Sequence, residues 1–205
     1  MSDFRVPYQA AETEFTEKRS RFIGHLLPVE TEEQAREFIA RMKKKYYDAR
    51  HNCWCYLIGR DVLRYGDDGE PQGTAGQPML NVFQRENVTN VVCVVTRYFG
   101  GILLGTGGLV RAYTAAASGA LQNAELVSMR LVVDCRLRVP YAQFEQAQRI
   151  IAAAGAKPEE PVFDDAVTLL WRMPAGEEGP LCAKLTELTR GSAEVTVSAA
   201  MYAPF

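Results

Sequence analysis

Apolar residues follow both the strand period and the helix period in the first half of the chain. Val91–Tyr98 is apolar almost without interruption, which predicts a strand buried on both faces in the middle of a sheet. The apolar spacing from residue 31 to about 45 predicts an amphipathic helix, and Thr31 with Gln34 predicts a capping box at its start. A further strand is predicted at 52–58 and a further helix at 106–121.

Glycine is concentrated around the predicted central strand. Nine of the 16 glycines lie between residues 66 and 113: Gly66, three in a loop at 67–76 and five in a second loop after Tyr98. Glycine serves where the chain needs a positive φ or the close approach of another group. Two such loops around one buried strand therefore indicate a functional site.

The pattern changes after residue 130. Residues 131–139 alternate as a half-buried strand, and Pro140 opens a helix that ends before Gly155. Strands are predicted at 156–163 and 167–173, a helix at 177–189 and a last strand at 193–199. The order βαββαβ is the ferredoxin-like pattern. We therefore predict an α+β protein with an N-terminal α/β domain at 1–127 and a ferredoxin-like domain at 128–205.

Composition limits the class of protein. The chain has 205 residues, 47% of them hydrophobic, which is enough for a sizeable core. The sequence contains neither a run of about 18 apolar residues nor a secretory signal pattern, so we predict a cytoplasmic protein without membrane association. Its 5 cysteines are an odd number in mostly apolar patterns and indicate reduced thiols. With a net charge of −2, any binding of nucleic acid requires a local basic patch.

The second loop ends where a helix begins, and free N–H groups at such a position attract anions. Arg97 and Arg111 flank it, so we predict a phosphate or carboxylate site. Its candidate residues are Arg97, Gly100, Gly101, Gly105, Thr106, Gly107, Gly108 and Arg111. The Walker A interpretation fails because Thr106 replaces the lysine, and the dinucleotide fingerprint fails because Val110 replaces its third glycine. The alternative is that the glycines serve only turns and helix packing.

The first loop concentrates Asp67, Asp68 and Glu70, and Asp48 and His51 precede a neighbouring strand. Such a set has the groups needed for acid–base chemistry or for a divalent metal. Aspartate in Asp-Gly and glutamate in Glu-Pro are also turn residues, and we favour this interpretation. We predict no metal and no cofactor.

Two cysteines and one histidine complete the set of candidate groups. Cys53 and Cys55 share one strand face but lack a second ligand pair for zinc. His25 lies in an apolar strand and is predicted to be packed in the core.

Three blocks of the sequence resemble a known family. They are DARHNC at 48–53, DDGEPQGTAGQP at 67–78 and RYFGGILLGTGGLVRAY at 97–113. In this order they are similar to the signature of the YigZ/Impact family, and the resemblance covers about residues 12–125. The tail from Arg130 is similar in pattern to the ferredoxin-like domain of bacterial members.

The resemblance implies a fold and a cellular context. The N-terminal domain is expected to resemble the second domain of ribosomal protein five of the small subunit. The same two fold types occur in this order at the C-terminal end of elongation factor G. Eukaryotic Impact proteins regulate translation during amino-acid starvation by acting through an activator of an initiation-factor kinase. They carry an additional RWD domain that this sequence does not show. The resemblance provides no catalytic residue.

We therefore predict a non-catalytic regulatory protein linked to translation that binds RNA, the ribosome or a phosphate-bearing ligand through the glycine-rich loops. A protein of the translation apparatus is a further candidate partner. The cleft edge is predicted to consist of Asp48, Arg50, His51, Asp67, Asp68, Glu70, Gly73 and Thr74. The alternative is a small-molecule hydrolase, with or without a metal, that uses Asp48, His51, Asp67, Asp68 and Glu70. In a third interpretation the ferredoxin-like domain is a surface for a partner or for dimerisation.

Overall fold

The structure, a computed structural model, describes residues 3–205. Within these residues it has five α-helices and two β-sheets. The chain divides into two compact units with a boundary between Ser128 and Met129. The predicted α+β class with two-domain architecture is thus confirmed.

The unit Phe4–Ser128 is built around an antiparallel sheet of five strands. Its elements are β1 (Phe4–Pro7), β2 (Ala11–Glu17), β3 (Ser20–Pro28), α1 (Glu32–Lys45), β4 (His51–Ile58), β5 (Val62–Gly66), α2 (Gly76–Arg85), β6 (Val91–Tyr98) and α3 (Thr106–Gln122). The sheet order is β2-β3-β6-β4-β5, which places β6 in the centre. All residues of β6 except Tyr98 are buried, as its apolar run predicted.

Helices cover both faces of this sheet. One face packs against α1, where Phe38 and Met42 meet Val92 and Val94 of β6. The predicted capping box at the start of α1 is present, with Gln34 N 3.2 Å from Thr31 Oγ1. The other face packs against α2 and α3. Helix α3 approaches β3 so closely that a Cβ on Gly24 would lie 2.8 Å from the carbonyl oxygen of Ala116.

The unit that contains 129–205 has its own core. Its elements are β7 (Leu126–Val139), which starts just before the boundary, α4 (Tyr141–Ala153), β8 (Lys157–Pro158), β9 (Val162–Phe163), β10 (Val167–Pro174), α5 (Glu178–Thr189), β11 (Thr196–Val197) and β12 (Met201–Pro204). Strand β10 pairs antiparallel with β7 over eight residue pairs, Val167 to Pro174 against Val139 to Val132. Trp171, Leu137 and Leu185 are almost completely buried between the strands and the helices.

Two strands of this unit differ from the prediction. In place of the one strand expected at 156–163, the structure has two strands of two residues each, β8 and β9. Pro158 and Pro161 interrupt the strand because they lack the backbone N–H that a continuous ladder needs. The strand expected at 193–199 is only Thr196–Val197, and the sequence analysis missed β12. Strand β12 buries only Ala203 fully, so its alternation is too weak to be recognised. Helix α4 begins one residue after Pro140, which is its N-cap.

The predicted packing of His25 is confirmed, since this residue is 2% exposed. Its Nδ1 lies 3.0 Å from Glu12 Oε1 and its ring stacks on Tyr46 at 5.1 Å, while Nε2 is enclosed without a hydrogen-bond partner in residues 3–205. Burial lowers the pKa of His25 from 6.5, although Glu12 opposes this change. The folded state therefore holds the neutral ring.

This burial predicts a pH dependence of stability. A lowered pKa means that the contribution of His25 is complete above pH 6.5 and is lost as the pH falls below that value, where the unfolded state binds the proton first. We expect the free energy of unfolding in urea to fall more steeply between about pH 7 and 5 for the wild type than for His25→Leu. The chain has 2 histidines, so His51→Leu is the matched control. Parallel pH profiles for wild type and His25→Leu would contradict the prediction.

Candidate functional site

The two glycine-rich loops lie at the same end of the five-stranded sheet. His51 at the start of β4 is paired with Arg97 near the end of β6, so the second loop leaves the sheet beside His51. Strand β5 is antiparallel to β4 and ends at Gly66, opposite Trp54, so the first loop also starts near this end. The strand register therefore brings together loops that are about 30 residues apart in sequence.

A cavity of about 350 Å³ lies between these loops. Six of the predicted site residues line it: Arg50, His51, Glu70, Arg97, Gly105 and Thr106. The remaining wall is apolar and consists of Pro71, Phe99, Leu103, Leu104 and Leu109. This apolar wall was not predicted from the sequence. Its only signal was the apolar run 102–104 inside a glycine-rich loop, where Leu103 is 81% exposed.

A buried ion pair lines one side of the cavity. Arg97 Nη1 donates to Glu70 Oε1 at 2.6 Å, and the two side chains are 6% and 4% exposed. Tyr113 donates its hydroxyl to the same oxygen at 2.9 Å. Burial raises the pKa of Tyr113 far above its ordinary value, so the hydroxyl keeps the proton that it donates. Arg97 Nη2 also donates to Ser20 Oγ at 3.3 Å. Because Arg97 is paired with the Glu70 carboxylate, its charge is neutralised within the fold.

His51 lies beside this ion pair with one ring nitrogen committed to the backbone. Its Nδ1 is 2.9 Å from the carbonyl oxygen of Asp68, and a carbonyl only accepts, so Nδ1 carries the proton. Its Nε2 lies 3.8 Å from Glu70 Oε1. In the neutral ring this nitrogen is a hydrogen-bond acceptor at the wall of the cavity.

The start of α3 forms the opposite side. Gly105 precedes the helix with φ +71°, a conformation that favours glycine, and among residues 3–205 no side chain caps this end. The first intrahelical bond runs from Leu109 N to Gly105 O at 2.9 Å, so the N–H groups of the first turn have no partner inside the helix. The first turn contains no acidic residue. Together with the helix dipole, these groups attract an anion.

Asp67 and Asp68 hold the first loop in place. The carboxylate of Asp67 accepts from the N–H groups of Gly73, Ala75 and Gly76 at 2.8, 3.1 and 2.8 Å. The carboxylate of Asp68 accepts from Asn52 N at 2.7 Å and from Lys43 Nζ at 2.5 Å. The contacts of Asp67 stay within the loop and the start of α2, whereas those of Asp68 tie the loop to β4 and α1, so both carboxylates have structural partners.

Thr74 and Asp48 also make local contacts. Thr74 donates its hydroxyl to the carbonyl of Pro71 at 2.6 Å. Asp48 accepts from the Tyr98 hydroxyl at 2.8 Å. Of the five residues of the hydrolase alternative, only His51 and Glu70 line the cavity. Residues 3–205 contain no group of three His, Cys, Asp or Glu side chains that could hold a metal ion.

Arg111 and Gly108 lie on a second cavity of about 260 Å³, together with Lys18 and Glu17. Leu104 lines both cavities, so the first turn of α3 has Arg50 on one side and Arg111 on the other. Gly100 donates its N–H to Ser20 Oγ at 3.2 Å. Gly101 has φ +84° and, like Gly107, is exposed. The structure thus brings Arg97 and Arg111 to different cavities.

The thiols and the helices complete the description. Burial raises the pKa of the Cys53 and Cys55 thiols well above the ordinary value and that of Cys93 to about 12. All five cysteines are free. Across the described residues, every helix is too short or too polar to cross a membrane.

Comparison with family models matches two parts of the chain. Residues 18–121 match the Impact N-terminal domain, and residues 137–192 match a domain of unknown function, DUF1949. The first match covers the loops and helix α3 that form the cavity.

The chain is similar to proteins from bacteria and animals. It is 36% identical over 189 residues to IMPACT family member YvyE of Bacillus subtilis, covering 91% of this chain and 87% of that protein. It is 34% identical over 182 residues to IMPACT family member YigZ of Escherichia coli, covering 87% and 89%. Rat Protein IMPACT is 39% identical over 95 residues, 44% of this chain and 30% of the rat protein. A crystal structure of a hypothetical protein matches with TM-score 0.61 and 32% identity over 95% of this chain and 97% of the other.

Proposed function

The chain belongs to the IMPACT family, and from this premise we propose that it is a non-catalytic binding protein of the translation apparatus. Its ligand is a phosphate group of RNA, free or on the ribosome, and the phosphate lies at the start of α3. The protein acts in the cytoplasm. The observation that carries the proposal is the uncapped, glycine-lined helix start at the cavity.

Charge supports this site. The first-turn residues Gly105, Thr106 and Gly107 are exposed, so their N–H groups are accessible to a ligand. Arg50 is exposed beside them, with its guanidinium 5.8 Å from the centre of the Phe99 ring. Arg111 is exposed on the neighbouring cavity. A net charge of −2 makes such a local patch necessary for binding a polyanion.

The arginines take different roles in this proposal. The charge of Arg97 is paired with Glu70, so Arg97 positions the cavity wall. Arg50 and Arg111 lie on the two sides of the first helical turn and contact phosphates of the same RNA strand. Asp67, Asp68, Gly73 and Thr74 shape the loop that holds Glu70.

We expect the purified protein to sediment with ribosomes and with short RNA at low salt, and to dissociate as salt rises. In Arg50→Ala plus Arg111→Ala, the affinity falls at every salt concentration, and the slope of log affinity against log salt decreases by about 0.7 for each contact to single-stranded RNA. Arg36→Ala is the matched control, because Arg36 is exposed on α1. The site assignment is wrong if the double variant and the control bind alike. The function itself is wrong if the wild type does not associate at low salt.

A further inference from the structure

Glu70 has one carboxylate oxygen without a partner. The bonds from Arg97 and Tyr113, and the approach of His51, are all to Oε1, so Oε2 accepts no hydrogen bond from residues 3–205. The fully enclosed atoms without a partner in this range are His25 Nε2, Arg97 Nε, Gln143 Oε1 and Trp171 Nε1. Glu70 Oε2 is not one of these, so it is not fully enclosed, and Glu70 lines the cavity. A carboxylate that is 4% exposed at the cavity wall thus has one oxygen without a partner.

His51 presents a second acceptor at the same place. The carbonyl of Asp68 holds a proton on Nδ1, so in the neutral ring Nε2 has its lone pair free, 3.8 Å from Oε1 of the same carboxylate. Two adjacent acceptors in a confined space select a ligand with two adjacent donors, because a ligand acceptor placed there would leave buried groups unpaired. Arg97 lines the cavity next to them and is a donor.

The rest of the cavity fits a flat ring that carries an anion. Phe99 and Arg50 are planar groups on which nucleobases stack, and the wall between them and α3 is apolar. The volume of about 350 Å³ lies within the range of roughly 300–1,000 Å³ for small-molecule sites. The N–H groups at the start of α3 are available for a phosphate.

We propose that this cavity recognises the base of a guanine nucleotide, either unpaired in RNA or free. The inference deepens the proposed function and rests on it. On its Watson–Crick edge guanine presents N1–H and N2–H side by side, which match Glu70 Oε2 and His51 Nε2, followed by the acceptor O6, which matches Arg97. Adenine and cytosine present one amino group beside a ring nitrogen that accepts, and uracil presents one N–H between two carbonyls. Each of these three places an acceptor against an acceptor.

The test compares GMP, AMP, CMP and UMP by calorimetric titration of the full chain. We expect GMP to bind about tenfold more tightly than the other three, the scale of one bidentate base contact. A second arm compares the oligoribonucleotides AAGAA and AAAAA, which separates guanine within RNA from the free nucleotide. Equal affinity for the four nucleotides, or a preference for another base, would overturn the proposal.

Two variants separate the base contact from the phosphate contact. His51→Leu removes one of the two acceptors, so GMP loses a hydrogen bond and AMP no longer meets an opposing acceptor. The preference for GMP over AMP is therefore expected to disappear. Arg50→Ala weakens all four nucleotides to a similar extent. A preference for GMP that survives in His51→Leu would contradict the role of His51. RNA and ribosome association without a base preference refutes this inference alone, whereas a GMP preference without RNA or ribosome association refutes only the proposed function.

Discussion

Replacing Arg97 with methionine is expected to lower the free energy of unfolding by about 3–5 kcal/mol, because Glu70 is then left as a buried charge without its partner. The Arg97–Glu70 contact is 2.6 Å, and both side chains are almost completely buried. The same change removes the donor to Ser20. A loss of this size is a large part of the roughly 5–15 kcal/mol by which most domains are stable. Urea unfolding of wild type and variant measures it.

The double variant Arg97→Met plus Glu70→Leu is the control for this prediction. Replacing both members of a buried pair by apolar groups of similar size costs much less than removing one. We expect the double variant to recover most of the lost stability, although Tyr113 loses its acceptor. If the double variant were as unstable as the sum of the two single variants, the pair would not be coupled.

Asp67→Ala is expected to cost about 3 kcal/mol, the second largest effect. The carboxylate accepts three backbone N–H groups, and two of these, on Ala75 and Gly76, belong to buried residues. Hydrogen bonds to a charged group contribute about 1.5–3 kcal/mol each, and water can replace the carboxylate at the exposed residue Gly73, so the two bonds to buried residues set the expected loss. We also expect hydrogen exchange to become faster at 73–76, which mass spectrometry measures.

Asp48→Ala is the matched control, since it removes the same kind of side chain, from another of the family blocks, where it makes only an exposed bond to Tyr98. Its effect on stability should stay within about 0.5 kcal/mol. Equal losses for Asp67→Ala and Asp48→Ala would show that the three amide contacts of Asp67 contribute nothing specific.

The sequence was most informative where periodicity was strong. The central position of β6 followed from its continuous apolar run, and the start of α1 followed from Thr31 and Gln34. Strand β12 could not be recognised, because an edge strand with one fully buried side chain has no clear alternation. Its place in the sheet depends on pairing with β7, about 70 residues earlier in the chain.

The position of the cavity between the two loops was predictable from the sequence, but the contacts of its charged residues were not. Glycines before an apolar helix indicated the start of α3, because this signal is local and does not depend on tertiary contacts. Asp67 and Glu70, however, are three residues apart in one acidic loop, and one binds turn amides while the other pairs with Arg97. This difference arises from contacts with β6 and α3, which lie outside the loop. The pairing of Arg97 with Glu70, 27 residues earlier, likewise has no local signal.

The uncapped start of α3 also has a kinetic consequence. The positive potential of this helix start, Arg50 and Arg111 is local, because the net charge of the chain is −2. Salt screens this potential, so at physiological ionic strength it acts on a polyanion only within about 8 Å. Long-range steering is then weak, and the association rate constant should be near the unsteered value of about 10⁵–10⁶ M⁻¹s⁻¹. Under the proposed function, residence time set by contacts inside the cavity would therefore determine which RNA sites stay occupied.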